Sequence, residues 1–224
     1  MLKYFFLFLI IISSGVLFAQ DIQELLIGSH VSGNLRHGEE ILYSVRPAQA
    51  GILTVETTGN IDTYLEAYDD QLNFIADDDD SGVGYNARLE IVVAGNRTYY
   101  FLLTGYDDYV SGHFSISANL RNLPNPAQLR VGSVVSGHLA SWEDHWYSVR
   151  TATRGTLIVE TIGNTDTMLE AYNELYELIA EDDDSGEGFN ARIEIQAEAN
   201  STYIFRLKGY SDSSGPFRIL AIIE

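Results

Sequence analysis

The sequence predicts an all-β protein: two tandem antiparallel β-sandwich domains, jelly-roll-like in character, that follow a signal peptide. Three observations carry that prediction. Apolar and polar residues alternate with period two in many short runs, and Gly, Asn, Asp and Ser separate those runs. No stretch of ten or more residues in the mature chain shows convincing amphipathic helical spacing. The same text also occurs twice: Gly28 to Tyr106 aligns without a gap with Gly132 to Tyr210, at an offset of 104, with 45 identities in 79 positions. The repeated unit, about 95 residues, is longer than a solenoid period and suits a self-sufficient small domain.

Residues 1–20, MLKYFFLFLIIISSGVLFAQ, are of another kind. Lys3, an apolar stretch from Tyr4 to Ile12 and small or neutral residues up to Ala19 fit an export signal cut after Ala19 or Gln20. The alternative is an N-terminal membrane anchor. The fully apolar core falls short of the roughly 20 residues of a span, and no second hydrophobic segment follows, so no membrane span is expected after cleavage. The chain has no cysteine, which excludes a lipid anchor on cysteine and disulfide staples. Each exported domain must stand on its own core, with or without metal.

The first domain is expected over 25–120, with strands at 40–46, 51–57, 63–68, 88–93, 99–104 and 113–118. A linker follows over 121–128, where Pro124 and Pro126 favour a short, extended, semi-rigid segment. The second domain is expected over 129–224. There Ile193, Ile195 and Ala197 alternate with Arg192, Glu194 and Gln196, and Tyr203, Phe205 and Leu207 alternate with Ile204, Arg206 and Lys208, the pattern of half-buried strands. A formal charge of −19 repels nucleic acid and anionic lipid, which removes both as partners. A content of 46% hydrophobic and 12% aromatic residues is too high for a disordered acidic tail.

The most unusual stretch is IADDDDSG at 75–82, which returns as IAEDDDSG at 179–186. Neighbouring ionised aspartates repel by about 1 kcal/mol even in water, so the run is either fully wet or holds a cation. Asp77 to Gly82 matches D-x-D-x-S-G, the first half of a calcium loop, but Arg88 and Arg192 stand where an EF-hand has its glutamate. A non-helical calcium site remains open, built from Asp78 and Asp80 with Asp62, and from Asp182 and Asp184 with Asp166. The competing reading is a solvated acidic turn whose charge Arg88 or Arg192 offsets. The chain enters the strand that Asp62 opens through a turn and leaves the next through the acidic loop, so both acidic elements are expected at one end of the sandwich.

Catalysis has little support. The chain lacks G-x-S-x-G, H-E-x-x-H and a cysteine nucleophile, and Tyr64 and Met168 follow Asp62-Thr63 and Asp166-Thr167 where aspartic proteases need glycine. None of the five histidines, His30, His37, His113, His138 and His145, has a counterpart in the other repeat, and all five read as surface or turn residues. Trp142 and Trp146 of the second domain form a candidate ligand-binding pair, on one face of a strand, where exposed rings could stack on sugars; covering a core edge is the alternative.

The duplicated unit, in its order NIDTYLEAYDD, IADDDDSG, NARLEI, NRTYYFLLTGY and SGHFSI, resembles the bacterial pre-peptidase C-terminal domain family, and the second repeat resembles it equally. The resemblance covers the latter two thirds of each unit. It implies a compact β-sandwich related to the collagen-binding domains of clostridial collagenases, usually appended to secreted proteases and other exported enzymes in aid of secretion, attachment or targeting. Some relatives bind calcium through acidic loops, and the positions this carries over are Asp62, Asp78, Asp80, Asp166, Asp182 and Asp184. The family's G-T-Y-Y turn is altered to Asn96-Arg97-Thr98-Tyr99 and Asn200-Ser201-Thr202-Tyr203. Leader, two domains and linker account for the 224 residues, so no peptidase is expected in cis.

The function expected is therefore an exported, non-enzymatic binding, adhesion or accessory module, periplasmic or extracellular, with an extracellular or envelope protein or glycan as partner and calcium as the candidate cofactor. A structural envelope-associated protein without a specific ligand is the alternative, and a small hydrolase with an unrecognised carboxylate pair comes last.

Overall fold

The computed structural model describes residues 22–224, together with the backbone of two short strands, β1 (Ile11–Ile12) and β2 (Gly15–Val16), which pair with each other. The signal peptide expected over 1–20 otherwise lies outside the described residues. The described residues contain no helix, and so none long and apolar enough to cross a membrane. The chain divides into two units, Met1–Leu123 and Pro124–Glu224.

The first unit contains β3 (Gln23–Glu24), β4 (His30–Leu35), β5 (Ile41–Val45), β6 (Gly51–Gly59), β7 (Thr63–Tyr68), β8 (Phe74–Asp78), β9 (Arg88–Val93), β10 (Tyr99–Gly105) and β11 (Gly112–Arg121). They form a five-stranded sheet in the order β3-β5-β10-β7-β8 and a four-stranded sheet in the order β4-β11-β6-β9. The second unit repeats this with β12 (Ala127–Gln128), β13 (Val134–Leu139), β14 (Asp144–Arg150), β15 (Gly155–Gly163), β16 (Thr167–Tyr172), β17 (Leu178–Asp182), β18 (Arg192–Ala197), β19 (Thr202–Gly209) and β20 (Gly215–Ile223). Its sheets run β12-β14-β19-β16-β17 and β13-β20-β15-β18. All neighbours are antiparallel except β3–β5 and β12–β14. Each unit is thus a two-sheet β-sandwich. The segment 121–128 is more than a connector, since Arg121 ends β11 and Ala127–Gln128 pairs with β14.

Period-two alternation places the cores. In the first unit Leu89, Ile91 and Val93 from one sheet meet Tyr99, Phe101 and Leu103 from the other, with Phe114 and Ile116 between them. In the second, Ile193, Tyr203, Phe205, Leu207, Phe217 and Ile219 take those places. His145 is the exception among the histidines: it shares the inward parity of Tyr147 on β14 and packs edge-on against Phe217, with ring centroids 5.2 Å apart.

The outer face of the five-stranded sheet differs between the two domains. In the first it carries a small apolar cluster of Leu42, Tyr68 and Leu102. In the second, Trp146 and Arg206 stand at the positions of Leu42 and Leu102, and the face becomes ionic. Glu170, buried, receives Lys208 at 2.5 Å, Arg206 at 3.4 Å and the Tyr172 hydroxyl, while Arg206 also bonds Asp144 at 2.8 Å. Burial raises the Glu170 pKa, but Lys208 and Arg206 outweigh it and hold the carboxyl below its ordinary value. Trp146 lies flat on Tyr172 at 5.9 Å with Arg206 over its ring at 5.6 Å. It is only 5% exposed, so this ring covers the sheet, as the packing alternative for the tryptophan pair has it, and only Trp142 of the two offers an exposed face.

Glu170→Ala is expected to lower the stability of the second domain by about 3 kcal/mol, because it strands two cations at a buried site. Glu66→Ala at the matching position, where the carboxylate accepts a bond from Tyr68, should cost about 1 kcal/mol. Calorimetry of both variants checks the contrast. Because the Glu170 pKa is depressed, its contribution is present above the unfolded value of about 4.3 and is lost as pH falls through the lower folded value.

Candidate functional site

Three loops meet at one end of each sandwich, and the chain segment around Asp62 ties them together. Thr63 donates its N–H to the Tyr85 carbonyl of the β8–β9 loop, and Tyr106 of the β10–β11 loop donates to the Asp62 carbonyl. His37, in the β4–β5 turn, lies 3.3 Å from the Ser111 hydroxyl. Beneath them the buried Thr57 and Thr63 hydroxyls bond each other at 2.6 Å, and the Ala87 N–H donates to Thr63 Oγ1 at 3.0 Å. The second domain reproduces this with Thr167 on Phe189, Tyr210 on Asp166, and Thr161 on Thr167.

The first half of the acidic run is strand: Asp77 and Asp78 belong to β8, opposite Glu66 and Leu65. Asp77 accepts from the Tyr64 hydroxyl at 2.7 Å. Asp78 closes the loop, accepting the Ser81 N–H at 3.0 Å, the Ser81 hydroxyl at 2.5 Å and the Arg88 N–H at 2.7 Å. Asp182 does the same with Ser185 and Arg192, at 3.0, 2.5 and 2.7 Å. Gly82 follows because its N–H donates to the Asn86 carbonyl at 2.8 Å, and a Cβ there would collide with that carbonyl. The arginines do not offset the run with their side chains: Arg88 pairs with Glu90 at 2.6 Å and Glu56 at 3.8 Å, and Arg192 with Glu160 at 2.6 Å and Glu194 at 2.8 Å.

Asp78 is turned to the loop, while Asp79 and Asp80 remain close enough for their charges to act on Asp62. Burial first, then the charges of Asp80, Asp79 and Asp107, push its carboxyl above the ordinary range. Asp166 is raised in the same way by burial, Asp184 and Asp183. Asp62 Oδ1 and Asn86 Oδ1 are buried without a hydrogen-bond partner, as is Asn190 Oδ1. Among the described residues no three His, Cys, Asp or Glu side chains converge as metal ligands. Of the six carboxylates assigned to calcium from sequence, Asp78 and Asp182 are already held by three loop donors each.

Exposed aromatic residues lie on the same loops and turns as these carboxylates, and sequence reasoning passed over most of them. Tyr85, Tyr106 and Tyr109 stand at the end of the first domain, and Phe189 and Tyr210 at the end of the second, exposed by between 49% and 84%. Trp142 joins the second group. It sits in a turn and not on a strand: β13 ends at Leu139 opposite Gly215, just after the 210–214 loop, and β14 starts at Asp144 opposite Lys208. The signal was present in the duplication, which keeps an aromatic residue at 85/189 and Tyr at 106/210. Trp142 also adopts φ 64°, where the first domain has Gly38 at φ 65°. A left-handed tryptophan that is 81% exposed gains nothing from packing.

No family model matches the chain, and no curated protein matches it. Among solved structures it is similar to the pre-peptidase C-terminal domain of collagenase from Bacillus anthracis, at 16% identity and a TM-score of 0.38, over 45% of this chain and 96% of that one. It is also similar to the CBM22-1-CBM22-2 tandem domain of Paenibacillus barcinonensis Xyn10C, at 11% identity and a TM-score of 0.24, over 87% of this chain and 86% of that one. A third is the M60 catalytic domain with the CBM51-1 and CBM51-2 domains of Clostridium perfringens ZmpB, at 8% identity and a TM-score of 0.27, over 83% of this chain and 34% of that one.

Substitutions at this end should act with opposite signs. Asp78→Ala removes three charge-assisted bonds and is expected to lower first-domain stability by about 2 kcal/mol or more, a melting-point drop of roughly 10 °C. Asp62→Asn should raise the melting point at pH 7. A carboxyl raised above its unfolded pKa adds stability only below about pH 3.9, and loses it as pH rises through the folded value. Trp142→Gly should stabilise the second domain by about 1 kcal/mol. Calorimetry of the three variants reads all three signs.

Proposed function

We propose that the protein is an exported, non-enzymatic binding module whose two domains each recognise a partner through the loop end. The observation that carries this is the repeated juxtaposition of exposed aromatic rings with carboxylates that repel one another. An arrangement that gains nothing from packing, and lowers stability where it is charged, is the kind that function retains. The third ring supports the same view. The first domain supplies it from the β10–β11 loop as Tyr109, where the second has lost a residue, and the second supplies it from the β13–β14 turn as Trp142, where the first has glycine. In the first domain the exposed Ser111 hydroxyl lies 3.3 Å from His37 at this end, but the second domain has Ser141 in place of that histidine, so what the two ends share favours holding a partner over transforming it. The partner is an extracellular or envelope protein or glycan, and two sites on one chain allow avidity. This reading does not need calcium, because Asp78 and Asp182 are engaged within the loops.

Screening the mature chain, residues 21–224, against arrays of matrix proteins and glycans tests it. Binding should fall about tenfold or more when Tyr85 and Tyr106, or Phe189, Tyr210 and Trp142, are changed to serine, with melting points kept. Unchanged binding by both variants would remove the loop ends from recognition. A hydrolase activity abolished by a single carboxylate substitution would replace the reading with an enzymatic one.

A further inference from the structure

The far end of each sandwich, away from the acidic loops, carries a second repeated feature. Among the asparagines of the chain only Asn96 and Asn200 are followed two residues later by a hydroxyl side chain, as Asn96-Arg97-Thr98 and Asn200-Ser201-Thr202. Asn-x-Ser/Thr, with x other than proline, is the acceptor sequence for an N-linked saccharide and belongs on a surface loop of an exported protein. Three residues match easily by chance, and what matters is where the fold puts them.

It puts both in the same place. Asn96 lies in the turn that joins β9 to β10, and Asn200 in the turn that joins β18 to β19. β9 leaves the acidic loop at Arg88 and β10 returns to that end at Gly105, so the turn between them is at the opposite end of the sandwich. Both asparagines are exposed, with φ 62° and 61°. The backbone beneath them is held: the Asn96 N–H donates to the Pro47 carbonyl at 2.7 Å and the Asn200 N–H to the Thr151 carbonyl at 2.9 Å. From the inner side the Tyr99 hydroxyl accepts the Ala94 N–H at 2.8 Å, and the Tyr203 hydroxyl the Glu198 N–H at 3.0 Å. A group added to an exposed side chain on such a turn displaces no packed atom.

Turn geometry accounts for only part of this pattern. A left-handed backbone tolerates asparagine, but glycine meets it at least as well. The threonines meet different neighbours: Thr98 Oγ1 accepts from Arg46 at 3.4 Å, whereas the Thr202 N–H donates to Glu174 at 2.9 Å. The residues around them differ as well, Ala94-Gly95 and Arg97 in the first domain, Glu198-Ala199 and Ser201 in the second. Apart from the inward tyrosine, the two turns share only the amide and the hydroxyl two residues on. That pair is what a saccharide transferase reads.

We propose that Asn96 and Asn200 are N-glycosylation sites, modified as the chain is exported. The asparagine Nδ2 attacks the anomeric carbon of a saccharide carried on a polyprenyl diphosphate. A C–N bond forms as the C–O bond to the diphosphate breaks; the lipid diphosphate leaves with the electron pair, and the amide gives up one proton. The saccharides then stand at the end of each sandwich away from Asp62 and Asp166, and the loop ends stay uncovered. The proposal shares with the reading above only the export of the chain, and holds whether or not the loop ends bind a partner.

The test is intact-mass spectrometry, with peptide mapping, of the chain purified from the exported fraction of the cells that encode it. The expected mass is that of the mature chain plus two saccharides, one on the peptide containing Asn96 and one on the peptide containing Asn200. Thr98→Ala and Thr202→Ala should each remove one saccharide, while Thr98→Ser and Thr202→Ser should keep both, since either hydroxyl serves. Asn96→Gln and Asn200→Gln should each remove the saccharide of its own turn. Thermal unfolding confirms that the variants remain folded, and the wild-type mass decides even where one does not. A mature chain at its bare sequence mass would overturn the proposal and leave the binding-module reading standing. A saccharide that survives both asparagine substitutions would be attached through a hydroxyl and would overturn it as well. A chain recovered only inside the cell, with its leader attached, would remove export and both readings with it.

Discussion

The carboxylate of Asp78, and of Asp182 in the second repeat, is the contact on which the functional end of each sandwich depends. One side chain on an edge strand gathers the Ser81 N–H, the Ser81 hydroxyl and the Arg88 N–H, so it fixes both the start of the loop and its return to β9. The Ser-Gly pair is explained by the same closure, serine as a double donor and glycine where the chain passes against the Asn86 carbonyl. With the loop closed there, Asp79 and Asp80 follow directly in the chain, and their charges act on Asp62. A contact that looks like simple turn chemistry thereby concentrates like charges.

Around that contact the two domains keep some features and change others. The inner cores and the buried threonine pairs are the same, because they set sheet spacing and anchor the strand that begins beyond the loop. The outer faces differ, an apolar cluster in one and a buried ion network under Trp146 in the other. Buried ionic groups seldom add net stability over apolar ones of similar size, so the exchange of Leu102 for Arg206 distinguishes the domains more than it strengthens the second. The loop ends lie between these extremes: their chemistry is retained while the third ring comes from a different loop.

Much of the fold was legible in the sequence, and the reasons are local. Strands such as β9 and β10 follow from strict alternation about a single core, and duplication doubled every signal. The site was legible only in part. The meeting of Asp62 with the acidic loop followed from strand order, but which aspartates face each other did not, because residues 77 to 80 read alike until the pairing of β7 with β8 assigns the first two to a strand. Trp142 and Trp146, four apart, look like one face of a strand. A turn residue in left-handed conformation at 142 separates them, and nothing local distinguishes that turn from a strand start. Arg206 and Lys208 sit at outward positions that normally face water, and only the buried Glu170 reveals their role.

Each loop end thus holds one carboxylate, Asp62 or Asp166, against the burial and like charges that raise its pKa. The most direct measurement is a carbon-detected NMR titration of the aspartate carboxyls in the mature chain, with Asp62 and Asp166 assigned by substitution. Both are expected to titrate above the ordinary aspartate value of about 3.9. Titration at or below that value would contradict this arrangement, because burial and the neighbouring carboxylates would then not be acting on Asp62 and Asp166.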